Sequence, residues 1–190
     1  MVKYEVVITS GLKKPNRAPI GVNFKENKVV FQLYYGSHTY SILNNEDYFV
    51  VNIVDPYYIA KSLITDEGNY NYVNLENNIK LPFLEESSKI LIYKIIKRNI
   101  TLRKDYYGKS KVLTIVGDMI HKKDIKNEPC MYSRSGGLLI EMAIIYSRKN
   151  LISSDLKDNY VKLLKDYLNI IKKTGDKHHI NLAKYFLENF

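Results

Sequence analysis

The sequence predicts an α+β fold: a β-rich body of six or more strands over residues 1–128, followed by about three helices over 129–190. Two observations predict it. Short apolar runs rich in Val, Ile, Tyr and Phe, punctuated by Gly, Pro and Asn, recur through the first two thirds of the chain. Beyond Pro129 the apolar residues instead return every three or four positions, with Lys and Asp between them. At 190 residues and 45% hydrophobic, the chain can bury a real core.

Taken in order, Val2 to Thr9 reads as a strand and Gly11 to Asn16 as a loop containing Pro15. Ala18 to Phe24 and Val29 to Tyr35 read as antiparallel strands joined by the polar turn Lys25-Glu26-Asn27-Lys28. After Gly36 the pattern predicts a short helix to about Asn44, with Ser37 and Thr39 in its first turn. Tyr48 to Val54 is almost wholly apolar, as a buried strand should be, and Pro56 suits the first turn of a helix through Ile64. Asp66 to Pro82 is polar and Asn-rich and is expected to be irregular. Lys89 to Arg98 and Lys111 to His121 follow as long strands, with Asp105 to Lys109 as their turn. Three helices complete the chain. The first is apolar around Leu138 to Leu151; the second carries Leu156, Tyr160, Leu163, Leu164, Tyr167, Ile170 and Ile171. Gly175 stops the second, and Asp176 caps a third that presents Ile180, Ala183, Phe186 and Leu187.

Composition narrows the function classes. No apolar run approaches the roughly 20 residues needed to cross a bilayer, and the first residues go straight into a strand pattern, so a cytoplasmic protein is expected. Cys130 is the one cysteine, which excludes intrachain disulfides and thiolate clusters. A net charge of +9 admits a polyanion partner, yet the lysines fall in short, separated groups that equally well dress a surface. The 17 tyrosines suit core, interface or ring stacking alike.

No H-E-x-x-H, C-x-x-C, P-loop, G-x-G-x-x-G or nucleophile-elbow pattern is present. His178 and His179 are adjacent, so their side chains diverge on a helix, and both are expected in solvent; His121 sits beside Lys122-Lys123 and is expected there too. Only His38, between Ser37 and Thr39, is suggestively placed. No carboxylate pair stands out, which points to chemistry carried by a cofactor. The run from strand to Gly36, Ser37 and helix is where an anion would meet unpaired backbone N–H groups, although Ser37 equally serves as an ordinary N-cap.

The ordered set Thr9, Asn16-Arg17-Ala18-Pro19-Ile20-Gly21-Val22, Tyr35-Gly36-Ser37-His38-Thr39 and Val51-Asn52 resembles a domain-of-unknown-function family of the FMN-binding split-barrel superfamily. Flavin reductases and pyridoxamine-phosphate-oxidase-like proteins are its relatives. Tyr132-Ser133-Arg134-Ser135-Gly136-Gly137 and Ile140-Glu141 to Ser147-Arg148 are similar to that family's C-terminal helix, with Ser133 and Tyr146 in place of its Asn and His. The resemblance implies a split β-barrel (1–128) with a C-terminal helical extension (129–190), in a homodimer with FMN held between subunits. It implies that Arg17, Ser37 and Thr39 hold the phosphate. Ala18, Pro19, Ile20 and Asn52 would lie near the ring, with Asn16, Tyr35 and His38 completing the site. It also implies a flavin-dependent oxidoreductase acting on a small acceptor, with a pterin as one candidate class. The competing class is a non-catalytic basic module for nucleic acid or a phosphorylated ligand. Glu141, within an apolar helix, is expected to be partly buried and paired.

Overall fold

A computed structural model describes residues 2–65, 67–75, 79–105, 108–126 and 133–190. The chain divides into two compact units, one of Met1–Val54 and Thr65–Pro129, the other of Asp55–Ile64 and Cys130–Phe190. The expected boundary at 128/129 and Tyr132 of the C-terminal motif lie outside the described residues.

The first unit is a six-stranded antiparallel barrel in the order β1-β2-β3-β8-β7-β4, closed by β4 pairing with β1. Its strands are β1 (Tyr4–Ser10), β2 (Asn16–Lys25), β3 (Lys28–Tyr34), β4 (Tyr48–Ile53), β7 (Lys89–Asp105) and β8 (Gly108–Asp124). Between β3 and β4 lies the short helix α1 (His38–Leu43). Strand alternation sorts the side chains. Val6, Ile8, Phe31, Leu33, Phe49, Val51, Tyr93 and Ile115 point inward, and α1 adds Tyr40 and Leu43 to the same cluster. Phe49 stacks on Tyr93 at 5.4 Å and meets Phe31 edge-on at 5.2 Å.

The expected irregular stretch instead contains β5 (Tyr70–Asn74) and β6 (Lys80–Leu84), a two-stranded antiparallel sheet. Leu81 and Phe83 of β6 cover Val50, Ile90 and Ile92, which face outward from the barrel. That is why β4 is apolar on both faces: one side fills the barrel and the other is roofed. The β7–β8 hairpin is also longer than expected, reaching Asp105 opposite Gly108. Register shifts between Ile92 and Tyr93 and between Ile95 and Lys97 leave Ile120 and Ile96 as the extra residues, both exposed.

The second unit comprises α2 (Pro56–Lys61), α3 (Arg134–Ser147), α4 (Ser154–Thr174) and α5 (Lys177–Glu188). Pro56 opens α2 behind an Asp55 cap whose Oδ1 accepts from Tyr57 N at 2.8 Å. Ser133 caps α3 by accepting from Gly136 N at 3.1 Å. Ala60 of α2 joins Leu139, Met142, Leu164, Leu168, Ile171, Leu182, Ala183 and Phe186 in one core. Glu141 is exposed, contrary to expectation, because the buried side of α3 runs through Leu139, Met142 and Ala143. No described helix is long and apolar enough to cross a membrane.

Candidate functional site

β2 pairs with β1 along its first seven residues, from Ser10↔Asn16 to Tyr4↔Val22, but with β3 only from Val22↔Phe31 to Lys25↔Lys28. Residues 16–21 therefore present an edge on the β3 side, where backbone N–H and C=O groups have no strand partner among the described residues. Pro19 lacks an N–H, and Ala18, Pro19 and Ile20 are half-buried, so the edge is small and flat. The barrel is split here, and the β3–α1 junction faces the gap.

That junction turns at Gly36, whose φ of +92° a side chain would strain. Ser37 then caps α1, its Oγ accepting from Tyr40 N at 3.2 Å. Across the split, Asn16 Nδ2 donates to Thr39 Oγ1 at 3.0 Å, with both residues buried. The Thr39 hydroxyl has a proton left to donate. Ser37 and His38 are exposed beside it. Tyr35 is 68% exposed; its ring meets Tyr40 edge-on and lies 5.5 Å from Lys111 Nζ.

Arg17 leaves the opposite face of β2, since its register partner is Thr9 and successive side chains alternate. It is only 3% exposed. Nε donates to Thr65 O at 3.0 Å, and Nη1 lies so close to Gly68 that a Cβ there would come within 2.5 Å of it. Nη2 is buried without an acceptor among the described residues. The adjacent Asp66 lies outside them. A guanidinium does not deprotonate in a protein, so a buried one lacking an acceptor is costly unless an anion completes it.

Asn52 lies two strands away and is fully buried. Its Nδ2 donates to Val7 O, Thr9 Oγ1 and Val50 O at 3.1, 2.9 and 3.3 Å; its Oδ1 accepts from Leu84 N and Ser87 Oγ at 2.8 and 3.0 Å. Thr9 Oγ1 in turn donates to Pro82 O at 2.6 Å. The amide thus ties β1, β4 and β6 together, and its hydrogen-bonding capacity is spent within the fold. The structure brings Asn16, Ser37, His38 and Thr39 to the split, sets Arg17 on the other side of the same strand, and places Asn52 beneath the β5–β6 sheet.

Several polar residues escaped the sequence reading. The Glu46 carboxylate holds Gly11 N and Leu12 N at 3.1 Å each, fixing the loop before β2; nothing local in sequence signals this contact. His179 is not solvated as expected. Its Nδ1 lies 2.8 Å from Asp176 Oδ1, its Nε2 is buried without a partner among the described residues, and its ring is 5.4 Å from that of Tyr57. The Asp-x-x-His spacing at a helix start was the available signal. His179 also holds the Asp176 carboxyl down to about 2, through the side-chain hydrogen bond first.

With this geometry in place, comparison with known proteins identifies the lineage. A family described as protein of unknown function (DUF447) matches through its N-terminal domain over residues 4–124 and through a second region over 133–188. An uncharacterised protein of Methanocaldococcus jannaschii, MJ1453, is 41% identical over 193 residues, covering 100% of this chain and 98% of its own. The crystal structure of FMN-bound protein MM1853 from Methanosarcina mazei, itself assigned to DUF447, is similar with a TM-score of 0.80 at 23% identity. The match covers 99% of this chain and 95% of that one. Matched along both its barrel and its helices, this chain is a member of the DUF447 family.

Proposed function

We propose that this protein is a flavoprotein that binds FMN at the split between β2 and β3 and works as a flavin-dependent oxidoreductase on a small acceptor. The observation that carries this reading is Arg17: a buried guanidinium whose Nη2 has no acceptor among the described residues, on a strand with an unpaired edge, in a fold shared with an FMN-bound member of the family. The residues present fit the group. The Thr39 and Ser37 hydroxyls supply donors for a phosphate at the split, and Arg17, held on the other face of β2, joins the same anion only by reaching round the unpaired strand edge, which the Arg17→Ala titration below tests. The Ala18-Pro19-Ile20 edge offers a flat surface and free backbone polar groups to a planar heterocycle. Asn16 positions the Thr39 hydroxyl from across the split.

When bound, FMN supplies the electron chemistry. The chain's own contribution is to hold the phosphate, present the β2 edge to the ring and keep water from the buried side. An edge with one open flank suits a site completed by a second subunit, so the working form in this reading is a homodimer, checked by sedimentation at micromolar concentration.

The test is a pair of titrations with FMN and with riboflavin, which lacks the phosphate. Arg17→Ala and Thr39→Ala should each cost about 1.5–3 kcal/mol in FMN affinity, roughly one to two decades, while riboflavin affinity barely changes. Equal losses for both ligands would remove these residues from the phosphate. Failure of the wild-type protein to take up either ligand would remove the flavin reading altogether.

A further inference from the structure

Outside the barrel, one side-chain cluster in the helical unit has a chemistry of its own. Tyr146 ends α3 half-buried against α5, its ring 5.2 Å from Phe186 and 6.0 Å from Tyr185. Lys149 folds back over it, with Nζ 3.1 Å from the Tyr146 hydroxyl and 4.3 Å from the ring centroid. The same ammonium donates to Asn189 O at 2.9 Å, just past the end of α5, so the charge is anchored from both sides. A phenol whose oxygen faces an anchored ammonium is built to carry negative charge on that oxygen.

We propose that Tyr146 and Lys149 form a second reactive site, a tyrosine poised to take an acyl group from an activated acyl donor. The phenol loses its proton to solvent, its oxygen bonds to the acyl carbon, and the bond from that carbon to the leaving group breaks. The leaving group departs with the electron pair and takes up a proton. Lys149 stabilises the phenolate electrostatically and stays protonated. The titration behaviour of the neighbours agrees: the hydrogen bond from Lys149 pulls the Tyr146 phenol below the usual tyrosine range, while bonding to Tyr146 pushes Tyr185 above it. Burial alone pushes Tyr93 up to about 12.

The experiment is competitive acetylation of the full chain with N-acetylimidazole at pH 7.5, mapped by peptide mass spectrometry. Tyr146 should be acetylated about tenfold faster than Tyr35 or Tyr72, although those are 68% and 53% exposed. Lys149→Gln should slow Tyr146 about tenfold relative to Tyr35 within the same sample, Lys149→Arg should retain most of the rate, and Tyr185→Phe should slow it less than Lys149→Gln. Labelling ranked by exposure in the wild-type protein would overturn the proposal. So would a Lys149→Gln variant that melts earlier yet keeps the wild-type ratio of Tyr146 to Tyr35, the signature of a tie between α3 and α5 and nothing more. Should that variant fail to fold, the rate of wild-type Tyr146 labelling against pH decides: a midpoint no lower than that of Tyr35 overturns the proposal.

Discussion

Replacing Asn52 with Ala should damage the barrel far more than any exposed substitution. The amide is fully buried and joins five groups from three strands and the loop after β6. Its loss strands the Leu84 N–H, a buried donor, at about 1–3 kcal/mol. The Val7 and Val50 carbonyls lose a donor, and the Ser87 hydroxyl must turn elsewhere. Thr9 keeps its bond to Pro82 O, which limits the damage on β1. With a small cavity added, the total is about 3–5 kcal/mol, a large part of the roughly 5–15 kcal/mol that holds a domain together. In a chain of this size that is a fall of roughly 6–20 °C in melting temperature. Urea titration followed by far-UV circular dichroism, with a parallel thermal melt, reads both quantities. A loss below about 1 kcal/mol would refute the accounting. A variant of full stability that no longer binds riboflavin would instead return Asn52 to the ring.

Two further substitutions probe other parts of the fold. A Cβ at Gly117 would lie 2.8 Å from Phe49 Cζ and 3.1 Å from Tyr93 Cβ, so Gly117→Ala should lower stability by about 1–3 kcal/mol in urea titration, and unchanged stability would mean the aromatic stack is looser than described. Asp176, held down to about 2, binds fewer protons in the native than in the unfolded chain, so its contribution is complete above about pH 4 and disappears as pH falls towards 2. Melting temperatures of wild type and Asp176→Asn should therefore differ at pH 6 and converge near pH 2. The exposure of this carboxylate keeps the difference small, and profiles that stay parallel would contradict the assignment.

Much of the fold was legible because burial imposes a period. Strands lining the barrel carry large apolar residues at alternate positions, and α4 and α5 carry them every three or four. β5 and β6 were not legible. Tyr70–Asn74 is polar and largely exposed, and Pro82 sits inside β6, so only the short apolar run around Leu81, Phe83 and Leu84 betrays a buried strand. The outer part of the β7–β8 hairpin was equally hidden, because Arg103, Lys104 and Lys109 in an exposed ribbon read like a loop. At the candidate site, the sequence grouped neighbours that the structure separates: Asn16 and Arg17 are adjacent in the chain, yet a strand sends them to opposite faces. Asn52 carries a related ambiguity. A strand-end amide looks the same in sequence whether it faces a ligand or the underside of a β-sheet roof.

The position of α2 in the chain bears on how the protein is made. Ala60 belongs to a core whose other members begin at Leu139, so α2 leaves the ribosome roughly 80 residues, or about 4–16 s, before any of them exists. A six-residue helix has too few hydrogen bonds to persist alone, so Ile59 and Ala60 emerge as an uncovered apolar stretch between two barrel strands. Nascent-chain binders and proteases have that interval to act on it. A gene trimmed to end after β8 would make the interval permanent, and a stand-alone barrel calls for residues 55–64 to be replaced by a short polar linker.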